Sequence, residues 1–330
     1  MNRILGIGNA LVDVIVHIGD EKLISHFGLK KGGMEMIDQE RRRNIHIAIE
    51  NYRKTIVTGG STANTMHGLA RLGVPVGYIG KIFDDEFGRF FRDDMISGNI
   101  NPHFVFSENE DTGIATTLIT DDGERTFATC LGAAATLTPA ELDPNLFAGY
   151  NFVHVEGYLI FNHDLILRIC QLAKECGATI SMDMASYNVV MLNLDFMRDL
   201  LKNYVDIIFA NEEEAKAFTG KEEHEALEIL SDYCSTAIVK LGAHGSIAKQ
   251  QGTVTVIPAI EANCIDSTGA GDIYASGFLY GLMNGLPVEK CGYIASRLAA
   301  ELVETTGAKL SDAQWQKIRA KALTFNILHQ

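Results

Sequence analysis

Residues 266–272 read Asp-Ser-Thr-Gly-Ala-Gly-Asp and precede an apolar run that opens a helix. Small residues at a helix start leave its first backbone N–H groups free to bind an anion, and the helix dipole adds positive charge there. A carboxylate at Asp272 would repel that anion unless it accepts a proton from a hydroxyl during phosphoryl transfer. The pattern therefore predicts a general base at Asp272 beside an anion hole formed by the preceding residues: Gly269, Ala270 and Gly271. The alternative is an ordinary N-cap in a tight strand-to-helix turn.

The same stretch closely resembles the D-T-T-G-A-G-D signature of the ribokinase-like (phosphofructokinase B) carbohydrate and nucleoside kinases. It departs from that signature only at Ser267, where one hydroxyl residue replaces another. In that family the last Asp is the catalytic base and the Gly-Ala-Gly amides form the anion hole, so the resemblance implies these roles here. It also implies an α/β fold, a ribokinase-like three-layer sandwich with a central, mostly parallel sheet and a small β-sheet lid.

A second glycine-rich stretch, residues 58–64, reads Thr-Gly-Gly-Ser-Thr-Ala-Asn and leads into an amphipathic helix. Paired glycines let the backbone approach a ligand closely. The stretch resembles the family's other signature, which implies that three of its residues bind the acceptor hydroxyls: Gly59, Gly60 and Asn64. The version G-G-S-T-A-N is closer to adenosine kinases than to the G-G-K-G-A-N of ribokinases.

The first strand-like run leads into residues 8–13, Gly-Asn-Ala-Leu-Val-Asp. This run is similar to the G-N-x-L-x-D of adenosine kinases, and the resemblance implies that Asp13 binds the ribose hydroxyls. Asn9 and Leu11 would then line the base pocket. One alternative is that Asp13 is a solvated strand end. A dinucleotide-binding loop is disfavoured because Leu11 stands at the third glycine position and no helix pattern follows.

After Pro139 the chain alternates short strand patterns with helical ones. This order requires right-handed crossovers and a parallel sheet covered on both faces, with ligands at the carboxyl ends of the strands. The polar residues at those ends are Glu156, Asp183, Asn211 and Lys240. We expect Glu156 to lie on the substrate side of the site.

Residues 211–214, Asn-Glu-Glu-Glu, resemble the family's N-x-x-E motif, which holds the water shell of the Mg²⁺ on ATP. The resemblance gives this role to Asn211 and to Glu214, which would act on the metal through water. Magnesium keeps most of its waters, so an indirect carboxylate is the expected arrangement. Acidic residues also suit the first turn of a helix, so a plain helix start is the alternative.

Two further loops resemble parts of the same family. The loop 241–245 is similar to the L-G-x-x-G loop beside the nucleotide, which implies that Gly242 and Gly245 bind ATP through their backbone. Lys240 would either reach the phosphates or form a salt bridge. A C-terminal loop resembles one that can hold a monovalent cation such as K⁺, and the residues implied for that site are Asp266, Thr268, Gly307 and Ser311.

A strong hairpin signal, Asp-Asp-Gly at 121–123, joins two strand patterns. Together with the short alternating pieces after Asp13, this hairpin would form a small sheet across the site, which matches the family's lid. We therefore predict a single kinase domain, 1–330, with lid strands inserted from about 13–40 and 103–131.

The composition is that of a globular protein, with 47% hydrophobic and 21% charged residues in 330. A net charge of −14 disfavours nucleic acid or an anionic membrane as a partner, because both select clustered Lys and Arg. No apolar run approaches the length of about 18 residues that a membrane span needs. The six cysteines are scattered without metal or disulfide spacing, and the short apolar stretch 4–12 does not have the pattern of a signal peptide, so we expect a reduced, cytoplasmic location.

These observations predict an ATP-dependent kinase that phosphorylates the primary (5′) hydroxyl of adenosine or a related ribonucleoside, as a monomer or homodimer. A sugar kinase of the same family, acting on ribose, fructose or a similar sugar, is the closest alternative. A non-catalytic nucleoside or sugar sensor is a remote one. The sequence holds no H-E-x-x-H, G-x-S-x-G or P-loop motif to support a protease, an α/β-hydrolase or a P-loop kinase.

Overall fold

The computed structural model describes residues 2–318. Its strands are β1 (Ile4–Ile7), β2 (Leu11–Gly19), β3 (Met34–Met36), β4 (Lys54–Gly59), β5 (Val76–Ile82), β6 (Ile100–Phe106), β7 (Gly113–Thr120), β8 (Arg125–Cys130), β9 (Phe152–Glu156), β10 (Thr179–Asp183), β11 (Ile207–Asn211), β12 (Thr236–Lys240), β13 (Ser246–Gln250) and β14 (Thr253–Ile257). Its α-helices are α1 (Lys22–His26), α2 (Gln39–Ala48), α3 (Ser61–Arg71), α4 (Glu86–Ser97), α5 (His163–Glu175), α6 (Tyr187–Leu192), α7 (Leu194–Tyr204), α8 (Glu212–Thr219), α9 (Glu223–Leu230), α10 (Ala270–Met283) and α11 (Val288–Val303), and residues 312–318 are also helical.

A nine-stranded sheet forms the centre of the fold, in the order β14-β13-β12-β11-β10-β9-β1-β5-β6. The strands from β12 to β6 pair in parallel, and β13 and β14 add an antiparallel edge. Every residue of β1 and β5 is buried, as expected for parallel strands covered on both faces. One core cluster includes residues of α5, α7, α8 and α9, and a second includes residues of α3, α4 and α10. The predicted α/β class with a mostly parallel sheet is confirmed.

A second sheet of five strands has the order β3-β8-β7-β2-β4. Residues along β2 alternate between more and less buried positions, because one face of this sheet packs on the core. The antiparallel pairing of β7 with β8 confirms the hairpin predicted at 121–123, where Gly123 has a φ of 83°. We call these five strands the small sheet.

The strands assigned to the small sheet differ from the predicted segments in two places. Residues 103–106 belong to β6, which pairs in parallel with β5 after the α4 crossover and closes the edge of the large sheet. Phe104 is held there because its ring packs against Tyr78 and Phe91. Conversely, β4 pairs with β2 in the small sheet, although residues 54–59 lie outside the segments predicted to form the lid.

The parallel strands bring their polar last residues to one edge of the large sheet. Glu156 ends β9, Asp183 ends β10, Asn211 ends β11 and Lys240 ends β12. The single-domain assignment stays a prediction, supported by a core cluster that includes residues of both sheets. Within residues 2–318, no helix is both long and apolar enough to cross a membrane.

Candidate active site

Asp272 lies in the first turn of α10 and is held by the first turn of α3. Ser61 Oγ donates a hydrogen bond to Asp272 Oδ1 at 2.7 Å, and Asn64 Nδ2 donates to Oδ2 at 2.9 Å. Burial raises the pKa of Asp272 to about 6, while the bonds from Asn64 and Ser61 favour its ionised form. The alternative role as an N-cap is wrong, because Gly269 occupies the N-cap position of α10. The carboxylate is therefore oriented by donors and retains proton affinity.

The N-terminus of α10 begins at a left-handed residue, Gly269, with a φ of 75°. A Cβ there would come within 2.6 Å of the Ala308 Cβ, so only glycine fits this turn. The Ala270 N–H donates to Ser267 O at 3.1 Å. Within residues 2–318, the N–H groups of Gly271 and Asp272 have no backbone acceptor. Of the three predicted anion-hole amides, that of Ala270 is thus already bonded, whereas those of Gly269 and Gly271 have no backbone acceptor among residues 2–318.

A cavity of about 280 Å³ opens beside Asp272 at the edge of the large sheet. Its walls are formed by the ends of several elements, and the lining residues are Ser61, Tyr158, Asp183, Ala185, Asn211, Glu214, Lys240, Gly271 and Asp272. Predicted catalytic, nucleotide and metal residues therefore share one space. Such a convergence of titratable groups in one concavity is typical of an active site.

Lys240 forms an ion pair with Asp183, with 2.8 Å between Nζ and Oδ2. A Cβ on Gly271 would lie 3.1 Å from Lys240 Nζ, so the ammonium also lies next to the start of α10. Burial alone would lower the pKa of Lys240, but Asp183 and Glu214 outweigh it and hold the pKa above its ordinary value. The lysine therefore carries a positive charge between the carboxylates and the predicted anion hole.

Asn211 and Glu214 form a capping box at the start of α8. Asn211 donates to Glu214 from its backbone N and from Nδ2, both at 2.8 Å, and its Oδ1 accepts from the Glu214 N–H. Glu214 is only 2% exposed, and burial, with Asp183 nearby, raises its pKa to about 7. The neighbouring Glu212 and Glu213 are exposed helix-start charges.

The side chains around the cavity suit a hydrated Mg²⁺ ion better than a directly ligated one. Three carboxylates line the cavity, those of Asp183, Glu214 and Asp272. In the part of the chain that the structure describes, no group of three His, Cys, Asp or Glu side chains is placed to ligate a metal directly. Both Glu214 oxygens already accept hydrogen bonds, which suits contact with a hydrated ion through its waters.

Glu156 lies beneath the start of α3 and is 3% exposed. Its Oε1 accepts from Asn9 Nδ2 at 2.6 Å, and its Oε2 accepts from the Thr62 N–H at 3.3 Å. Burial raises the pKa of Glu156 to about 7, whereas the bond from Asn9 lowers it. Glu156 is not among the cavity-lining residues. The structure thus brings Asn9 and Glu156 together as a buried pair that supports α3.

The paired glycines after β4 are required by close contacts with the predicted acceptor residues. A Cβ on Gly59 would lie 2.4 Å from Asp13 Oδ1. Gly60 has a φ of 89°, and a Cβ there would lie 2.4 Å from the carbonyl oxygen of Asn9. Burial raises the pKa of Asp13 to about 7, with Lys309 opposing that rise and Asp272 adding to it. Leu11 begins β2 close to Gly113.

The predicted nucleotide loop joins β12 to β13. Gly242 has a φ of 53° and Gly245 a φ of 91°, and a Cβ on Gly245 would lie 2.2 Å from the Ile257 carbonyl oxygen. The Leu241 N–H donates to Gly245 O at 2.8 Å, which closes the turn. Neither glycine lines the cavity described above, although Lys240 immediately before the loop does.

Three of the four residues predicted to hold a monovalent cation contact one another, and the fourth, Ser311, bonds elsewhere. Asp266 Oδ1 accepts from the N–H and Oγ1 of Thr268, at 3.0 and 2.7 Å, and Oδ2 accepts from the Gly307 N–H at 2.6 Å. Arg125 supplies positive charge here, with its Nη2 2.9 Å from Asp266 Oδ2. Ser311 instead donates to Gln314 Oε1 at 2.7 Å. The side chains present fit a guanidinium better than a small cation.

No specific role was predicted for five residues of this region, although one of them, Asp183, was among the strand ends expected to meet ligands: Ser61, Asp183, Tyr158, Arg125 and Lys309. Asp183 had a sequence signal, since it ends a strand whose neighbours end in site residues. Ser61 follows directly after the paired glycines. The other three lie outside the motifs, and only their tertiary contacts place them here.

A mostly parallel α/β sheet, a small sheet and a half-buried carboxylate in the first turn of α10 are the features that the resemblance to the ribokinase-like kinases implies. The model of the pfkB family of carbohydrate kinases matches residues 30–315, and the chain belongs to that family.

Similar proteins include both nucleoside and sugar kinases. An adenosine kinase from Schizophyllum commune is 24% identical over an alignment of 345 positions, gaps included, that covers 96% of this chain and 98% of that protein. A solved structure of a probable sugar kinase from Rhizobium etli CFN 42 has a TM-score of 0.87 and 28% identity, covering 98% of this chain and 99% of that one. The adenosine kinase from Sinorhizobium meliloti has a TM-score of 0.86 and 29% identity, covering 97% and 99%. The ribokinase-like architecture is therefore confirmed.

Proposed function

We propose that this chain is an ATP-dependent phosphotransferase whose acceptor is the primary 5′-hydroxyl of adenosine or a related ribonucleoside. The observation that carries the proposal is the pair of hydrogen bonds that Ser61 and Asn64 donate to the Asp272 carboxylate. Those donors come from the helix that follows the paired glycines, and Asp13 packs on those glycines. The first turn of α3, together with the glycines just before it, thus contacts both the proposed acceptor residue Asp13 and the proposed base Asp272.

The chemistry follows from the placement of Asp272. Its carboxylate accepts the proton of the acceptor hydroxyl while that oxygen forms a bond to the γ-phosphorus of ATP. The bond from the γ-phosphorus to the bridging oxygen breaks, and ADP leaves with that electron pair. The free Gly271 amide and the Lys240 ammonium face the developing negative charge. A base with a pKa of about 6 is ionised at neutral pH and still accepts a proton.

ATP and Mg²⁺ are assigned to the cavity side of the site. Asn211 and Glu214 would hold the metal's water shell, and the bound Mg²⁺ would neutralise charge on the phosphates. Gly242 and Gly245 would contact the nucleotide through their backbone. Asp266 already has a guanidinium partner, so we assign no role to K⁺ in the transfer step.

Asp13 supports a ribonucleoside as acceptor. Its half-buried carboxylate lies against Gly59, and we assign it to accept hydrogen bonds from two vicinal ribose hydroxyls. Asn64 Oδ1 has no partner within residues 2–318 and is available to a further acceptor hydroxyl. Asn9 and Leu11, on the same stretch of chain as Asp13, would line the base pocket.

A sugar kinase is the second candidate, because the probable sugar kinase from Rhizobium etli is as similar in fold as the adenosine kinases. A sugar would also present vicinal hydroxyls to Asp13. The two candidates differ in whether a base occupies the space near Asn9 and Leu11.

Steady-state ADP release with adenosine, 2′-deoxyadenosine, ribose and fructose tests the proposal. An unpaired buried acceptor costs about 1 to 3 kcal/mol, so 2′-deoxyadenosine should have a kcat/KM about tenfold or more below that of adenosine. Asp13→Ala should weaken adenosine binding and narrow that ratio. A clear preference for a free sugar would refute the nucleoside assignment and leave the kinase assignment standing. No ADP release with any acceptor would favour a sensor.

A further inference from the structure

The tripeptide Gly307-Ala308-Lys309 connects the two sides of the candidate site. Gly307 donates its N–H to Asp266, and Ala308 packs against Gly269 at the start of α10. The residue that follows, Lys309, extends away from this loop toward the acceptor side. No motif in the sequence includes Lys309, and the proposed phosphoryl transfer does not involve it.

Lys309 ends in a polar cluster between α3, α4 and β4. Its Nζ donates to Asp94 Oδ2 at 2.6 Å and to Thr58 Oγ1, and it lies 3.3 Å from His67 Nε2. Asp94 also accepts from Thr58 Oγ1 and lies 3.0 Å from His67 Nε2. A cavity of about 340 Å³ borders this cluster, and Asn64 lines the same cavity. Lys309 and Asn64, a proposed acceptor residue, therefore line the same cavity.

Strand β4 lies between Lys309 and Asp13 and contacts both of them. Thr58, which Lys309 contacts, pairs with Val12 and precedes Gly59. The Asp13 carboxylate lies against Gly59, so the Lys309 ammonium and the Asp13 carboxylate contact neighbouring residues of β4. Among the charges acting on Asp13, the attraction of Lys309 is the largest.

The other charged groups around this pair come from three helices. Asp272 in α10 acts on Asp13 and disfavours its ionised form. Asp94 in α4 attracts Lys309, while Arg71 in α3 repels it. His67, also in α3, has its pKa lowered by burial, against the opposing hydrogen bond to Asp94. Lys309 is therefore the group that offsets the burial of Asp13.

We propose that Lys309 is a positioning residue for acceptor recognition: from its place beside β4, its positive charge favours the ionised form of the Asp13 carboxylate, whose two oxygens then accept hydrogen bonds from vicinal hydroxyls. This inference rests on the proposed function, because it assigns the acceptor's hydroxyls to Asp13. The competing explanation is purely structural: Lys309 would only fasten the C-terminal segment to α4 through Asp94.

The test compares Lys309→Met, which removes the charge, with Lys309→Arg, which keeps it. A third variant, Lys309→Met/Asp94→Asn, removes both charges of the ion pair. It is included because Lys309→Met alone leaves the Asp94 carboxylate without this partner, which could impair folding. Each protein is studied with adenosine from pH 6 to 9, by steady-state kinetics and by calorimetric binding of adenosine without ATP. Melting temperatures are recorded for every variant.

Loss of the Lys309 charge should raise the pKa of Asp13 further, so the acidic limb of kcat/KM should move to higher pH. A rise of one pKa unit from about 7 lowers the ionised fraction of Asp13 at pH 7 from about one half to about one tenth. At pH 7 we therefore expect kcat/KM to fall about fivefold through KM, while kcat changes less than about twofold. Calorimetric affinity should fall by the same factor and recover above pH 8. Lys309→Arg should behave like the wild type, and the double variant like Lys309→Met.

A lower melting temperature with an unshifted acidic limb in both Met variants would overturn the inference and favour the structural role. Equal losses with adenosine and 2′-deoxyadenosine would also overturn it, because the deoxy substrate lacks one of the hydroxyls in question. If the wild type prefers a free sugar, the proposed function fails by itself. The role of Lys309 is then tested by the shift of the acidic limb of kcat/KM measured with that sugar.

Discussion

Arg125 Nη2 lies 2.9 Å from Asp266 Oδ2, and this ion pair joins the first residue of β8 in the small sheet to the loop that precedes α10. Arg125 Nη1 also donates to Thr268 Oγ1 at 3.1 Å. The Asp266 side chain is only 7% exposed. The position of the small sheet and the conformation of the anion-hole loop are therefore linked by one side chain.

Breaking this pair should destabilise the protein in a way that a double-mutant cycle can measure. Arg125→Gln leaves a largely buried carboxylate without its ionic partner, so we expect a loss of about 1 to 3 kcal/mol in the free energy of unfolding. Asp266→Asn in the same chain should recover part of it, with a coupling energy of about 0.5 to 3 kcal/mol by urea denaturation. Arg89→Gln, which breaks an exposed pair with Asp84, is the control and should cost no more than about 1 kcal/mol. Strict additivity of the two changes would show that the pair is not coupled.

Asp272→Asn should abolish turnover and leave ATP binding nearly intact. An amide cannot accept the hydroxyl proton, and removing a general base typically lowers the rate by about 10² to 10⁴. Ser61 and Asn64 can still contact the amide, so the fold of the site should persist. ADP release and calorimetric ATP titration measure the two quantities. Weak ATP binding with normal residual turnover would contradict the assignment, and Asp84→Asn, an exposed change, should be silent.

The wild-type rate should depend on pH through Asp272. Its pKa is raised from 3.8 to about 6, and only the ionised form accepts a proton, so kcat should fall as the pH drops through about 6. A pH profile of kcat at saturating adenosine and ATP measures this limb. A kcat that stays constant down to pH 5 would exclude Asp272 as the base.

The same pKa predicts a cost in stability. Because the folded-state pKa of Asp272 lies above its unfolded value of 3.8, its contribution to stability is fully present below pH 3.8 and lost as the pH rises through about 6. Asp272→Asn should therefore raise the melting temperature at pH 8 and lose that advantage at pH 4. Thermal unfolding of the ligand-free proteins at the two pH values checks this. An advantage that is independent of pH would show that the charge is not its cause.

Glu214→Gln should raise the Mg²⁺ concentration needed for half-maximal rate more than it changes the KM of the acceptor, because the proposed contact with the metal runs through water. The pKa of Glu214 is about 7, so the wild-type Mg²⁺ requirement should also fall between pH 6 and 8, as the carboxyl ionises. The variant should lose this pH dependence. Glu212→Gln, an exposed change in the same turn, is the control. If excess Mg²⁺ restores nothing and acceptor binding alone suffers, Glu214 belongs to the acceptor site.

The sequence by itself determined the parts of this protein that depend on neighbouring residues. The glycines of residues 266–272 specify a turn into α10, and the alternation after Pro139 specifies a mostly parallel sheet. Parallel strands must end on the same edge, so the placement of Asn211 and Lys240 near one another also follows from the pattern.

Tertiary structure decided which distant side chains meet. Asn64 reaches Asp272 across 208 positions, and Lys240 reaches Asp183 across 57. Such contacts depend on how α3 packs on α10 and on strand order in the sheet, which local spacing does not encode. The same reason explains β6, whose aromatic pattern fits either sheet until Phe104 packs against its neighbours. Burial then sets the proton affinity of Asp272, because only the folded core removes water from that carboxylate.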